Sequence, residues 1–277
     1  MTSHALAEPL AASVDDRGVA WLRAFVYKTG VIAELELRRL WHDPTELVTR
    51  AVQPALWLLI FGETFTRIRA IPTGGVPYLD FMAPGILAQS VLFVAIFSGI
   101  ALIWERDLGV VHKLFVSPTP RPALVTGKAL SAGVRCFSQV VIVYVLAVML
   151  GVRVRWGVLP LAGVALAVMI GAAAFATLSL IIASIVRTRE RFMGIGQLMT
   201  MPLFFASNAI YPLAIMPPWL HVVARVNPLS YEVDALRTLM IPGGQTAFGL
   251  GADFTVLLAA AVLLIAVASA VYPRVVR

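Results

Sequence analysis

Charge and cysteine are both scarce in this chain. The one cysteine, Cys136, lies inside an apolar run, so neither a disulfide framework nor a cysteine metal site forms within one chain. It reads as a small packing residue. His4, His42, His112 and His221 are scattered, without the His-Glu-x-x-His spacing of a zinc helix and without converging acids. No catalytic residue and no metal ligand is therefore assigned. A phosphate-binding glycine loop is missing too: Gly127-Lys128 is followed by Ala129, and Pro122 stands five residues before Gly127. That removes the tight turn and the magnesium-binding hydroxyl, so no cofactor is expected on this chain. Met1 to Arg17 carries Glu8, Asp15 and Asp16 and lacks the basic start and apolar core of a leader, so no cleavable signal peptide is expected.

Hydrophobic residues make up 60% of the chain and charged residues 13%, against roughly 25% charged in ordinary globular domains. The mean hydropathy is +0.87. Phe81 to Trp104 runs for 24 residues without a charge, Trp156 to Val186 for 31, Phe192 to Ala224 for 33 and Phe254 to Pro273 for 20. A bilayer core of about 30 Å takes about 20 residues of helix to cross, so each run is a candidate membrane span. Two weaker candidates complete the set. Leu47 to Phe65 is apolar except for Arg50 and Glu63 near its ends, and Val125 to Gly151 carries Lys128 and Arg135 before 17 uncharged residues from Cys136. The expected fold is an all-α membrane protein with about six transmembrane helices.

Basic residues set the expected orientation. With a cytoplasmic N-terminus, Arg17, Arg23, Lys28, Arg38, Arg39, Arg50, Arg106, Lys113, Arg121, Lys128, Arg187, Arg189, Arg191, Arg274 and Arg277 lie inside, and Arg67, Arg69, Arg153, Arg155, Arg225 and Arg237 outside, a bias of 15 to 6. Both termini are then cytoplasmic. The net charge of +7 belongs to these loops rather than to a nucleic-acid surface, since no basic stripe with interleaved aromatics exists.

Three stretches outside the spans are amphipathic. Between Trp21 and Trp41, Arg23, Tyr27, Glu34 and Arg38 fall opposite Leu22, Phe25, Val26, Ile32, Ala33, Leu37 and Leu40 at helical spacing, with Glu36 and Arg39 intruding. Such a helix lies along the membrane surface, as an anchor or as a docking element. After the Phe81 run, Glu105, Arg106 and Asp107 open a short helix with Leu108, Val111, Leu114 and Phe115 at helical spacing, ended by Pro118 and Pro120. Its stripe packs on the bundle or on another protein. Pro217 to Ala252, an external loop in this topology, carries breakers and apolar residues together, which fits short helices partly sunk in the outer leaflet. Asp234 and Arg237, three apart, share a face there and are expected to pair.

The chain reads Thr-Met-Pro-Leu-Phe-Phe-Ala-Ser-Asn-Ala from Thr200, then Ile210 to Ile215, Met216-Pro217, ten residues, and Pro-Leu-Ser-Tyr-Glu-Val-Asp-Ala-Leu-Arg from Pro228 to Arg237. This resembles the signature of ABC-2-type permeases, the membrane subunits of type-2 ABC exporters. The likeness extends to Tyr78 through Ile86 with Pro84-Gly85, and to Glu105-Arg106-Asp107 followed by Gly109 and Ser117-Pro118. Asp107 stands where the more common pattern has a second Glu, which keeps the charge. The version with this loop is most similar to the daunorubicin-resistance and nodulation-factor export branch.

The resemblance implies a division into a cytoplasmic tail (1–17), an amphipathic interfacial connecting helix (18–45) and a six-helix transmembrane domain (46–277), with short external re-entrant helices. It implies that Glu105, Arg106, Asp107, His112, Leu114 and Phe115 belong to a coupling helix resting on an ATPase subunit. ATP and magnesium would be bound by that partner, two ATPase subunits per complex, beside a second permease copy or paralogue. It also implies that the second and fifth spans line a cleft between permeases, which makes Phe93, Phe97, Phe204, Phe205 and Asn208 candidate cargo contacts. The expected function is ATP-driven export of a hydrophobic or amphipathic compound, a drug, lipid or glycolipid, across a bacterial plasma membrane. A glycan-precursor exporter is the alternative. An ion-coupled secondary transporter is a third class, disfavoured because the long runs hold only Arg135 as an ionisable residue. The topology is tested by reporter fusions: those after Arg277 and within Pro118 to Arg121 should report cytoplasm and one within Gly243 to Gln245 the exterior, and an external C-terminus would overturn the six-span arrangement.

Overall fold

A computed structural model describes residues 44–68, 71–73, 75–109, 121–186 and 188–272. The tail 1–17, the amphipathic segment 18–45 except its last two residues, and positions 110–120 with His112, Leu114 and Phe115 lie outside the described residues. The elements in chain order are α1 (Pro44–Leu56), a π-helical turn (Trp57–Gly62), α2 (Glu63–Ile68), α3 (Tyr78–Phe97), α4 (Ile100–Asp107), α5 (Arg121–Met149), α6 (Val158–Ile185), α7 (Arg189–Phe205), a 3-10 turn (Leu213–Ile215), α8 (Pro218–Val226), α9 (Pro228–Met240) and α10 (Leu250–Val271). Among the described residues there is no strand. Hydrocarbon offers no partner to an exposed N–H or C=O, and a helix satisfies both internally.

Among the described residues, four stretches are long and apolar enough to cross a membrane: Tyr78–Asp107, Leu124–Met149, Val158–Ile185 and Leu250–Val271. The other two expected spans fold differently from a plain helix. Leu47 to Phe65 falls within α1, the π-turn and α2, with Pro54 inside α1. Phe192 to Ala224 is not one helix at all. Its first part is α7, 17 residues long, about 25 Å at 1.5 Å per residue; its second part turns back and continues as α8.

Asn227 explains where that break falls. Its side-chain oxygen accepts from the Leu229 amide at 3.0 Å and starts α9, while its Nδ2 donates to the carbonyls of Leu203 at 2.7 Å and Ala206 at 3.3 Å at the end of α7. One amide thus serves both an N-terminus and a C-terminus that would otherwise leave polar groups unpaired. Ser207 adds a bond from its hydroxyl to the Phe204 carbonyl at 2.7 Å.

α6 is the centre of the bundle, touching α3, α4, α5, α7, α9 and α10. Its stretch from Gly171 through Ala176 is buried and built mostly of glycine and alanine, which lets neighbouring backbones come close without side chains between them. α9 exploits this most. It was expected to lie partly in the leaflet; instead Leu229, Glu232, Val233, Asp234, Leu236 and Met240 are buried among α3, α6 and α10. α8 keeps the surface role, with Trp219, Val222, Val223 and Val226 exposed. Cys136 is buried, its sulfur 3.8 Å from the Val91 carbonyl oxygen.

The Tyr78–Asp107 span is interrupted at Ser98–Gly99, between α3 and α4. Here the Ser179 hydroxyl of α6 donates to the Ile96 carbonyl, and the Gly99 amide donates to Ser179 Oγ at 3.1 Å. A side chain inserted into the helical ladder is one of the recognised causes of a bend.

At the other end of α3, Gly85 meets the chain after α7 backbone to backbone: a Cβ on Gly85 would lie 2.4 Å from the Ala209 carbonyl oxygen and 2.8 Å from Ala209 Cα. Gly127 has open space around it. Gly85→Ala is therefore expected to destabilise the purified protein by about 1–3 kcal/mol through overpacking, whereas Gly127→Ala should be neutral or stabilising by up to about 1 kcal/mol. Thermal unfolding followed by size-exclusion chromatography compares the two, and equal behaviour would contradict the close seat at Gly85.

Candidate functional site

Charged side chains gather at one end of the bundle around the residues the sequence singled out. Glu105 accepts a hydrogen bond from the Lys128 ammonium of α5. Arg106 reaches the Val186 carbonyl at the end of α6 at 3.3 Å, and Asp107 holds Arg189 at the start of α7 at 3.0 Å. Arg189 also lies over the Trp104 ring, 3.5 Å from its centroid. The triplet thus ties the end of α4 to three other helices. All three expected coupling residues within the described part make intramolecular contacts, and the chain leaves this clamp directly into positions 110–120.

The opposite end is built around α9 and the outer turns of α3. Asp234 and Arg237 do not make the ion pair expected from their spacing. Asp234 Oδ2 instead accepts from the Thr246 hydroxyl at 2.8 Å and the amides of Ala247 at 2.8 Å and Phe248 at 3.1 Å. Arg237 donates to the Asn208 carbonyl at 2.7 Å and the Phe81 carbonyl at 3.4 Å, and its guanidinium sits over the Phe81 ring at 3.8 Å. Each finds backbone partners because α9 is buried against loops that sequence spacing says nothing about. Burial lowers the Arg237 pKa to about 10, with Asp234 opposing the shift; the group stays charged at neutral pH. The Tyr78 hydroxyl donates to the Ile210 carbonyl at 2.9 Å, and Asp80 pairs with Arg153 at 3.5 Å. Between these groups lies a cavity of about 490 Å³ reached by Asn208, His221, Arg225, Asp234 and Arg237.

Glu232 is the residue the sequence reading passed over. It is fully buried, its carboxylate against Gly171 of α6, where a Cβ would stand 2.4 Å away. Neither oxygen has a hydrogen-bond partner among the described residues. Burial pushes this carboxyl above the ordinary carboxylate range, because loss of hydration penalises the charged form. A glycine in an alanine-rich run was the available signal, because such a gap admits a neighbour's side chain.

The five aromatic and amide residues proposed as cargo contacts separate into three places. Phe93 and Phe97 stack with centroids 6.0 Å apart and line a cavity of about 350 Å³ with Val94, Ser98 and Arg135. Phe204 is fully buried and packs edge-on to Trp57 at 5.5 Å, a core role, while Phe205 is 43% exposed beside it. Asn208 belongs to the other cavity. Gly196 of α7 lies against Phe97, and Phe204 is eight residues further along, about 12 Å at 1.5 Å per residue. One continuous ridge is therefore not formed within the described chain.

Comparison with known proteins bears on both ends. The family model described as "ABC-2 type transporter" matches residues 27–241. The ycf38 protein of Cyanophora paradoxa, whose name describes a transport permease, is 28% identical over 226 residues, covering 78% of this chain and 74% of its own. The daunorubicin resistance ABC transporter permease protein DrrB1 of Streptomyces coeruleorubidus is 27% identical over 199 residues, 72% and 70% of the two chains. Nodulation protein J of Rhizobium leguminosarum bv. trifolii is 26% identical over 197 residues, 70% and 74%.

The clamp makes its own prediction. Glu105→Lys or Lys128→Glu alone sets like charges together and is expected to cost about 1 kcal/mol at this partly exposed site, which lowers the unfolding midpoint by about 2–4 °C for a chain of this size. The double reversal should recover most of the loss. Additive losses in the double variant would show that the pair is not coupled.

Proposed function

This chain belongs to the ABC-2 type transporter family, a membrane transport subunit whose ATP hydrolysis resides on a separate subunit, and from that premise we propose that it exports a hydrophobic or amphipathic compound across a bacterial plasma membrane. In this reading the Glu105 end faces the cytoplasm, two permeases and two ATPase subunits form the complex, and α1 with α2, and α7 with its following turn, complete six crossings. The observation that carries the proposal is the clamp. The segment expected to rest on the ATPase follows directly on the point where α4, α5, α6 and α7 are tied together by charged groups among the described residues.

A push on that segment would not be absorbed locally. Through Lys128, Val186 and Arg189 it would move three helix ends at once, while the Ser98–Gly99 interruption, six residues or about 9 Å before Glu105, gives α4 a place to tilt relative to α3. The Phe93–Phe97 cavity lies just beyond that interruption. Closure of the ATPases would thus reach an aromatic-lined cavity by a short rigid lever, and apolar or amphipathic cargo suits such a lining. The daunorubicin and nodulation relatives support this class of cargo.

The test is a reconstituted permease with its ATPase. Leu114→Asp in the segment beyond the clamp is expected to reduce cargo export about tenfold or more, the scale of a lost coupling energy, with insertion unchanged and ATP hydrolysis retained. A cysteine introduced as His112→Cys should cross-link to the ATPase subunit. Normal export by Leu114→Asp together with no cross-link in an assembled complex would place this segment on its own bundle and defeat the coupling role.

A further inference from the structure

The cavity at the Asp80 end is built within one chain and has a floor and a rim. Phe81, Asn208, Asp234, Arg237 and Ile241 are its buried lining, and Ala214, Arg225, Gln245 and Thr246 its exposed one. At about 490 Å³ it falls within the range of small-molecule sites. Its rim is held in place. The Tyr231 ring stacks on Phe248 with centroids 4.5 Å apart, and the Tyr231 hydroxyl donates to the Arg225 carbonyl at 2.7 Å, so α8, α9 and the loop before α10 fix one another. The floor contains an unsatisfied group: Asn208 is 1% exposed, and its side-chain oxygen has no hydrogen-bond partner among the described residues. A buried amide oxygen in that state calls for a donor from outside the chain. α8 gives the rim a lipid side. His221 and Arg225, four apart on one face, line the cavity, whereas Trp219, Val222 and Val226 are exposed. Exposed tryptophan and valine on a short amphipathic helix suit the boundary between membrane and water, so the cavity opens beside lipid tails.

We propose that this cavity receives the uncharged, polyhydroxylated head of an amphiphilic lipid, with the tails lying along the exposed face of α8. The proposal rests on the exporter reading above and narrows its cargo. The side chains of Asn208, His221 and Gln245 line the cavity without a hydrogen bond to any described residue. An amide and a neutral imidazole each present a donor and an acceptor, and a hydroxyl, with one donor and two lone pairs, matches either. A phosphate or carboxylate head offers acceptors alone. It would leave the Asn208 oxygen without a donor and would face the Asp234 carboxyl. An ammonium head offers donors alone and would face the guanidiniums of Arg225 and Arg237. A group of several neutral hydroxyls meets both kinds of wall without setting like charges together. Asp234 and Arg237 are already tied to the loop before α10 and to the Asn208 and Phe81 carbonyls, so the site is formed before the ligand arrives.

The same chemistry describes an exported lipid and a resident one, and the test separates them. The permease–ATPase complex, in tetraethylene glycol monooctyl ether, a detergent without a sugar head, is titrated by native mass spectrometry with three lipids of identical tails: glucosyldiacylglycerol, phosphatidylcholine and phosphatidic acid. The glucosyl lipid is expected to bind about tenfold more tightly than the other two. Asn208→Leu should bring it down to their level in a folded complex, since the oxygen it removes has no partner among the described residues. Equal affinity for the three heads, tighter binding of phosphatidic acid, or a glucosyl affinity unchanged in folded Asn208→Leu overturns the proposal. Should that variant not fold, His221→Ala combined with Gln245→Ala at the rim decides: a loss of about threefold or more supports the site, and an unchanged affinity overturns it. Fluorescent-tailed versions of the three lipids are then followed in inside-out vesicles containing the complex. ATP-driven transfer of the glucosyl lipid to the lumenal leaflet, read as protection from dithionite, identifies it as cargo. Its retention on the complex while another head is moved identifies a resident lipid and removes the narrowing of the cargo. Movement of all three without preference defeats this inference and leaves the exporter standing. Asn208-dependent binding of the glucosyl lipid with no ATP-driven movement of any of the three defeats the exporter reading for amphiphilic lipids and leaves the site.

Discussion

The approach of α9 to α6 at Gly171 is the contact on which the rest of the Asp80 end depends. Only a residue without a side chain leaves room there for the Glu232 carboxyl, whose oxygens find no hydrogen-bond partner among the described residues. Once α9 is seated, Arg237 is delivered to Phe81 and Asn208, and Asp234 to the amides ahead of α10. Those bonds hold the turn after α7 against Gly85, where backbone meets backbone. A short helix that composition assigns to the membrane surface therefore becomes the plug that organises three neighbouring elements.

The two ends of the bundle are held by different physics. Around α9 the partners are backbone carbonyls and amides, mostly buried, whose loss would leave desolvated polar groups unpaired. At the Glu105 end, apart from the Val186 carbonyl that Arg106 reaches, the partners are side-chain charges, partly exposed, which can exchange for one another or for a partner protein's charges at small cost. One end is suited to stay fixed and the other to be moved. Between them the Ser179 hydroxyl interrupts the long α3–α4 span beside the groove that holds Phe97 and Arg135, so displacement of the charged end has a defined place to be taken up.

Much of this protein was legible without coordinates. Length of apolar run and density of charge are local properties, so the spans starting at Phe81, Val125, Trp156 and Phe254 correspond to helices long enough to cross a membrane. The signature from Thr200 to Arg237 and the Glu105-Arg106-Asp107 triplet pointed to the family that the comparison with known proteins shows. The same local reasoning misjudged the 33-residue run from Phe192, since apolarity alone does not reveal that the Asn227 amide ends one helix and starts another.

What a sequence determines here is therefore the solvent: a chain with this much apolar length and so few charges belongs in lipid, and its backbone is then obliged to be helical. What only the tertiary structure decided is which groups meet. Glu105 meets Lys128 and Asp107 meets Arg189; Asp234 and Arg237, three residues apart, turn to other partners; and Phe97 and Phe204, alike on paper, become a cavity wall and a core residue. Each outcome depends on how helices far apart in the chain cross one another. Crossing is set by small-residue contacts such as Gly171 and Gly85, whose partners no local pattern names.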